Sequence, residues 1–496
     1  MTRQVILVLP ILVPLAAAVF SVAASFVVQR RVALVALTGH LLASALLFAL
    51  VASGEVFAVQ LAAWPAPFGI TFVADTFSGL LLVSMSVITW LVMLHSTASV
   101  PREIQRLAFF PLVLVLLAGV SGAVLTGDLF NLYVWFEVLL MASFVLLTLG
   151  AERAQLEGGL KYVALNLIAS AFFLTGVGLL YGTTGTLNLA DLSRQMSDLP
   201  LSFPRIAAVL LLLLSFGIKA AVFPLFGWLP ASYHTPPAAV AALFSALLTK
   251  VGVYSMIRVG TLLLPQPPET LTNALLAVAA LTMITGVLGA VAQTEMKRLL
   301  SFHIVSQIGY LVLGFALYSV AGLTGAIYFF VHVSVAKAAL FLVAGEFERR
   351  WQTTELTQLG GSYRDAPMLA AACFAGAMGL AGLPPLSGFF AKLQLVVATV
   401  EARAFLSLVA ALSVSMLTLF SMCKIWAEAF WKALPTTSTS VAPEESPRAM
   451  RFATVGLASI TLLLGAFAEP VLLVAEQAAE QLLDRRAYLQ AVLGGP

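Results

Sequence analysis

Lys219, Lys250, Lys337 and Lys392, together with Glu137, are set inside apolar runs where charge is scarce. At membrane depth a cation costs about 3 kcal/mol on insertion scales, so it persists where it meets water, a counter-charge or a transport path. Lys219 stands five residues ahead of Pro224 in the run Ser215-Phe216-Gly217-Ile218-Lys219-Ala220-Ala221-Val222-Phe223-Pro224. Proline has no N–H, so the carbonyl of Ala220 is expected to lose its helical partner beside the lysine. Lys392 follows a second break, at Gly382, Pro384, Pro385 and Gly388. There the two prolines free the carbonyls of Leu380 and Ala381, and the glycines relax the backbone. Non-helical backbone at that depth lines a cavity or is buried in protein. A broken helix beside an ionisable group is the arrangement of an ion-binding site.

Glu137 falls near the middle of Asp128-Leu129-Phe130-Asn131-Leu132-Tyr133-Val134-Trp135-Phe136-Glu137-Val138-Leu139-Leu140. An unpaired buried carboxylate takes up a proton, whereas an adjacent lysine keeps it ionised. A Glu137–Lys219 pair whose separation changes is therefore a proton switch, with a static ion pair as the competing reading. Lys250 shares a helical face with Tyr254 and lies too deep below Pro236 to snorkel easily to water. His303, Gln307 and Tyr310 form a neutral polar stripe, suited either to a hydrated relay or to interhelical packing. His332 and Lys337 are five residues apart on one helix, which places them on either side of a path rather than on one face. A histidine titrates near neutral pH and can hand protons between lysines. Lys424 and Glu428 read as an i,i+4 pair, either an exit or a local ion pair. Asp75 is expected to cap a helix N-terminus, and His40, His95, Cys373 and Cys423 to be ordinary span-end or buried side chains. No phosphate loop, zinc-protease motif or cofactor fingerprint occurs. The line of Glu and Lys residues with an intervening His is the chemistry of ion translocation, with no cofactor.

Holding these groups requires a membrane scaffold. The 496 residues are 61% hydrophobic and 10% charged, with a mean hydropathy of +1.01, more apolar than a soluble surface tolerates. The net charge of +3 gives no reason to expect nucleic-acid binding. Apolar runs give about 14 spans of roughly 20 residues, from 5–27 to 450–473, with the two breaks inside 206–229 and 367–399. The expected fold class is an all-α polytopic membrane protein. Lys219 and Lys392 are about 173 positions apart and Lys250 and Lys424 about 174, the weak internal symmetry of a repeat. Each unit holds an odd number of spans, so the two five-helix repeats are inverted, each with a broken helix. The expected organisation is 1–104 (three N-terminal spans), 105–261 (first repeat), 262–432 (second repeat) and 433–496 (loop, last span and tail). Basic residues such as Arg102, Arg106, Arg153, Lys297 and Arg349 gather on one side, which puts both termini outside the cytoplasm. The apolar start is read as a first span of the mature chain. The connections 182–205 and 432–451 are expected at the surface, the second of them mobile, and 474–496 as a short amphipathic or interfacial helix.

With the broken spans, the run Asp128–Glu137 and the run His234-Thr235-Pro236-Pro237, the chain resembles the antiporter-like subunits shared by respiratory complex I and the Mrp-type multisubunit Na+/H+ antiporters. The similarity runs over nearly the full length and looks strongest to the MrpD subunits. The resemblance implies proton translocation by an essential Glu137, a broken-helix Lys219, a connecting Lys250, a relay at His332 and Lys337 and a terminal Lys392. It further implies a bacterial cell membrane location, H+ and Na+ as the ions exchanged, a part in pH homeostasis, and MrpA-, MrpB-, MrpC-, MrpE-, MrpF- and MrpG-like partners. It implies a transporter subunit rather than an enzyme, and leaves any metal site unknown. M-type complex I subunits usually carry glutamate where Lys392 stands, and the L-type lateral helix and the MrpA extension have no counterpart here. Two alternatives stay open: a proton-pumping membrane-arm subunit of a complex I-like NADH:quinone oxidoreductase, the N-type above all, and a non-conducting structural subunit.

Overall fold

A computed structural model describes residues 3–198, 202–433 and 446–494. Within them, 13 helices are long and apolar enough to cross a membrane, as expected where no water is available to satisfy an open backbone. The remaining expected span is divided into Pro367–Ala381 and Ser387–Glu401. At 1.5 Å per residue neither piece reaches across about 30 Å of hydrocarbon alone.

Hydropathy does not distinguish the helices that face one another from those at the periphery. Ala238–Leu263 and Val320–Trp351 are enclosed along their whole apolar length and Met296–Ala316 nearly so, whereas Glu269–Val291 and Phe405–Trp431 are buried over only 33% and 39% of theirs. The three enclosed helices carry Lys250, His303, Gln307, Tyr310, His332 and Lys337. The charged and polar groups thus lie on the axis of the bundle, walled from lipid by apolar helices. The span containing Lys250 is itself broken, into Ala238–Ala246 and Leu248–Leu263, with no proline to announce it.

The expected span beginning near residue 71 opens as a strand. Thr71–Ala74 pairs antiparallel with Phe57–Gln60, and the helix proper is Thr76–Ser99. Asp75 caps it as expected: its carboxylate accepts from Ser78 N at 2.9 Å, and Ser78 Oγ accepts from Asp75 N at 2.9 Å. The same carboxylate also forms a buried ion pair with Arg258 at 2.5 Å, a long-range contact that local sequence does not contain. Asp128 caps Leu129–Thr148 by accepting from Asn131 N at 2.7 Å. Burial pushes its carboxyl above the usual range, against the opposing effect of backbone N–H groups at Asn131 and Phe130.

Two of the expected surface segments are docked on the body. The 182–205 connection contains the helix Leu189–Asp198, docked by Asn188 Nδ2 donating to Thr71 Oγ1 at 3.1 Å and by Arg485 donating to Ser193 Oγ at 2.8 Å. The tail does not lie free at an interface. Its helices Ala468–Leu483 and Arg486–Leu493 pack on the body, with Gln481 Nε2 donating to Gly54 O at 2.7 Å and Tyr488 stacked 5.5 Å from the Arg258 guanidinium. As expected of amphipathic helices, both tail helices bury one face, through Ala475, Ala479 and Leu482 in the first and Tyr488 and Val492 in the second. Residues 434–445 of the other expected surface connection lie outside the described residues. Cys373 is buried, as expected, whereas Cys423 is exposed on the outer face of its helix.

Candidate functional site

The helix carrying Lys219, Phe203–Ala220, ends earlier than Pro224 requires. Ala221 is left-handed (φ 64°, ψ 51°), and the end is closed by Val222 N donating to Gly217 O at 2.9 Å and Ala221 N to Ile218 O at 3.0 Å. The freed carbonyl expected at Ala220 is therefore not what the lysine meets. Lys219 sits in the last turn, where a cation is favoured by the helix dipole. Its Nζ donates to Ser170 Oγ at 3.3 Å and lies 4.9 Å from the Phe136 ring. Ser170 Oγ in turn donates to Glu137 Oε1 at 2.5 Å. Glu137 and Lys219 are thus joined through one hydroxyl. Gly252 permits the close approach of the next span: a Cβ there would stand 2.8 Å from Ala220 N and 3.1 Å from Lys219 C. A cavity of ≈ 10 Å³ lined by Tyr162, Asn166 and Lys219 has room for about one water.

Lys250 is fully buried, which rules out snorkelling. Its Nζ donates to Ser245 O at 2.5 Å, a carbonyl exposed by the break at Leu247. Tyr254, on the same face, donates to Val124 O at 2.6 Å and accepts from Arg258 Nε at 3.2 Å. Lys337 Nζ donates to Leu300 O at 3.1 Å.

In the second half, Lys392 behaves as the sequence led us to expect. Its Nζ donates to the freed carbonyls of Leu380 (3.0 Å) and Ala381 (2.9 Å) and to Ser415 Oγ (3.1 Å). It also lies 5.3 Å from the Tyr310 ring. The two breaks are not in the same register as their lysines, however, because Lys219 precedes Ala221 whereas Lys392 follows the left-handed Gly382 (φ 90°). His332 Nδ1 is 2.7 Å from Ser387 Oγ, which donates to Thr461 O at 3.1 Å. His332 therefore faces the second broken helix and Lys337 faces Leu300, on different sides of their helix. Gly388 is obligatory here: a Cβ would overlap Gly379 O and fall 2.8 Å from His332 Nε2. The polar stripe divides. His303 Nε2 meets Ser421 Oγ at 2.6 Å and Tyr310 donates to Ala411 O at 2.6 Å, while both amide atoms of Gln307 are buried without a partner in the protein.

One expected pair does not form. Lys424 donates to Val291 O at 3.2 Å and Gln293 O at 2.8 Å, and Glu428 pairs instead with Lys432 at 2.9 Å. Ser170, Ser245, Gly252 and Ser387 were not singled out in the sequence. For Ser170 a signal was present, since Asn166 and Ser170 stand one turn apart in an otherwise apolar run. Among the described residues no cluster of three or more His, Cys, Asp or Glu could hold a metal ion.

These elements define a multi-pass membrane protein with an ionisable line on its axis. Residues 126–418 match the transmembrane family described as NADH:quinone oxidoreductase/Mrp antiporter, and the chain belongs to that family. It is 41% identical over 490 residues to the D-type Na(+)/H(+) antiporter subunit of Alkalihalophilus pseudofirmus, covering 98% of this chain and 99% of that one. Its fold superposes on a chain of the Mrp complex from Dietzia sp. DQ12-45-1b with a TM-score of 0.92, at 34% identity and full coverage of both. It also superposes on a chain of the membrane-bound sulfane sulfur reductase, an archaeal respiratory membrane complex, with a TM-score of 0.90 at 25% identity, covering 99% of this chain and 100% of that one.

Proposed function

We propose that this chain is the proton-translocating subunit of a multisubunit monovalent cation/proton antiporter that exchanges Na+ for H+. Protons move along Glu137, Lys219, Lys250, Lys337, His332 and Lys392. One observation carries the reading: the buried lysines rest on hydroxyls and backbone carbonyls, and among the described residues none of Lys219, Lys250, Lys337 and Lys392 is paired directly with a carboxylate. A carboxylate partner would fix the ammonium charge. A carbonyl or hydroxyl accepts an N–H from the ammonium and from the neutral amine alike, so each lysine can release and regain a proton without losing its anchor. Glu137 is joined to Lys219 through Ser170, so the carboxylate acts on the lysine's proton through that hydroxyl.

The greater identity to a D-type Na(+)/H(+) antiporter subunit than to a chain of a respiratory complex favours antiport over a redox-driven pump. On this reading the chain sits in a bacterial cell membrane with its basic side in the cytoplasm and both termini outside, beside MrpA-, MrpB-, MrpC-, MrpE-, MrpF- and MrpG-like subunits. Glu137→Gln removes the titrating group while nearly preserving shape. In everted vesicles it is expected to abolish Na+-driven collapse of a pH gradient at normal complex abundance. Wild-type collapse by an assembled Glu137→Gln complex would remove Glu137 from the proton path.

A further inference from the structure

The line of lysines runs along the bundle axis, and the function above does not say how a proton reaches its middle. On the basic side, a cavity of ≈ 340 Å³ opens where Ser99, Gln155, Thr235, Pro237 and Gly345 converge. Two of its lining side chains hold buried polar atoms with no partner in the protein, Ser99 Oγ and Gln155 Oε1. One helical turn deeper than Ser99, on the same face, lies His95. It is wholly buried, and neither ring nitrogen has a hydrogen-bond partner among the described residues.

His40 provides the contrast. It is as deeply buried, but its Nε2 is 2.9 Å from Ser121 Oγ and its Nδ1 2.9 Å from Ser86 Oγ. That is a histidine held for structure. A histidine with both nitrogens unmatched is a poor packing element, because an apolar side chain would fill the space without leaving polar atoms stranded. Gly345, which lines the cavity, is also a neighbour of the ring. A Cβ at Gly345 would stand 3.5 Å from His95 Cε1, 4.0 Å from its Nε2 and 2.7 Å from Ala238 Cβ.

Two lines of residues lead inward from this level. Gly345, Phe341 and Lys337 follow one another at successive turns of Val320–Trp351. Ala238, Ala242 and Ser245 do so along Ala238–Ala246, where Ser245 O holds the Lys250 ammonium. The distance from Gly345 to Lys337 along the helix is about 12 Å. Thr249, beside Lys250, contributes a buried Oγ1 with no partner in the protein.

We propose that His95 is the proton-uptake residue of this subunit, passing protons from the Ser99–Gly345 cavity to the Lys250–Lys337 pair. The proposal rests on the proton-translocation reading above. A neutral imidazole offers one acceptor and one donor nitrogen. A proton from the cavity binds the acceptor nitrogen, the opposite N–H releases its proton inward, and rotation of the ring restores the starting tautomer. One proton enters, one leaves, and no charge remains.

The test uses the assembled complex in everted vesicles, with Na+-driven collapse of the pH gradient as the readout. His95→Ala is expected to lower the rate about a hundredfold, the lower end of what a positioned proton-transfer group contributes, and added imidazole is expected to restore part of it through the cavity. His95→Gln keeps bulk and polarity and is expected to be equally slow. A wild-type rate in either assembled variant overturns the proposal, as does a loss in assembled His95→Ala that imidazole leaves unrelieved. Should both variants fail to assemble, Ser99→Cys decides the matter. Complete labelling with a bulky thiol reagent from the outer face of the vesicle is expected to stop transport, with wild-type complex as the control for Cys423, and undiminished transport overturns the proposal. Glu137→Gln measured alongside separates the two readings. Its loss together with active His95 variants removes His95 alone, whereas activity in both removes the proton path.

Discussion

Ser170 joins the carboxylate and the ammonium of the first half-site, and Ser170→Ala deletes that joint without changing the helix. Ser170 Oγ donates to Glu137 Oε1 at 2.5 Å and accepts from Lys219 Nζ at 3.3 Å. A hydrogen bond to a charged group contributes about 1.5–3 kcal/mol. Glu137 is only half-buried, so the lower end applies, about 1.5 kcal/mol, and each 1.4 kcal/mol is about tenfold in rate. We expect Ser170→Ala to slow Na+-driven collapse of the pH gradient about tenfold in everted vesicles, with subunit abundance unchanged on a native gel. Ser170→Thr, which keeps the hydroxyl, should recover most of the rate. The double variant Ser170→Ala/Glu137→Gln should be no slower than Glu137→Gln alone, because groups acting through one contact are not additive. Wild-type transport by Ser170→Ala, with Glu137→Gln inactive, would refute the coupling of Glu137 to Lys219 through this hydroxyl.

Lys219 distinguishes a moving proton from a fixed charge. If the lysine must release its proton, Lys219→Arg and Lys219→Ala both lose antiport, since guanidinium stays protonated, whereas substantial antiport by Arg alone would make the residue a static counter-charge. Gly388→Ala is expected to abolish assembly of the subunit, because its Cβ would overlap Gly379 O. Gly178→Ala, with open space around it, should be silent on the same native gel. For orientation, a cysteine at Arg364 should react only from the cytoplasmic side and one at Ser197 only from outside. Both positions are exposed, unlike the neighbouring Ser362, and the reverse labelling pattern would invert the assignment.

Residue composition and local pattern were enough to place most of the membrane-crossing helices, because a chain in lipid must close its own backbone hydrogen bonds and an apolar run of the right length has one way to do so. The second break was legible for the same reason: Pro384 and Pro385 cannot donate, and Lys392 stands at the carbonyls they release. The buried lysines and Glu137 were legible as isolated charges. What they touch was not. Ser170 between Glu137 and Lys219, Asp75 on Arg258, and His332 on Ser387 all join residues far apart in sequence, and hydropathy is blind to which face of an apolar helix meets another. The break at Leu247 carries no proline, and its physical trace is the carbonyl of Ser245 turned to the Lys250 ammonium. The pairing of Lys424 with Glu428 failed because helical spacing only permits a contact. The nearby carbonyls of Val291 and Gln293, brought in by another helix, compete for the same ammonium. His40 and His95 look alike in sequence, each a lone histidine at or near a span end. Tertiary packing alone gives one of them two hydroxyl partners and leaves the other unmatched among the described residues, behind the Gly345 that lines a cavity.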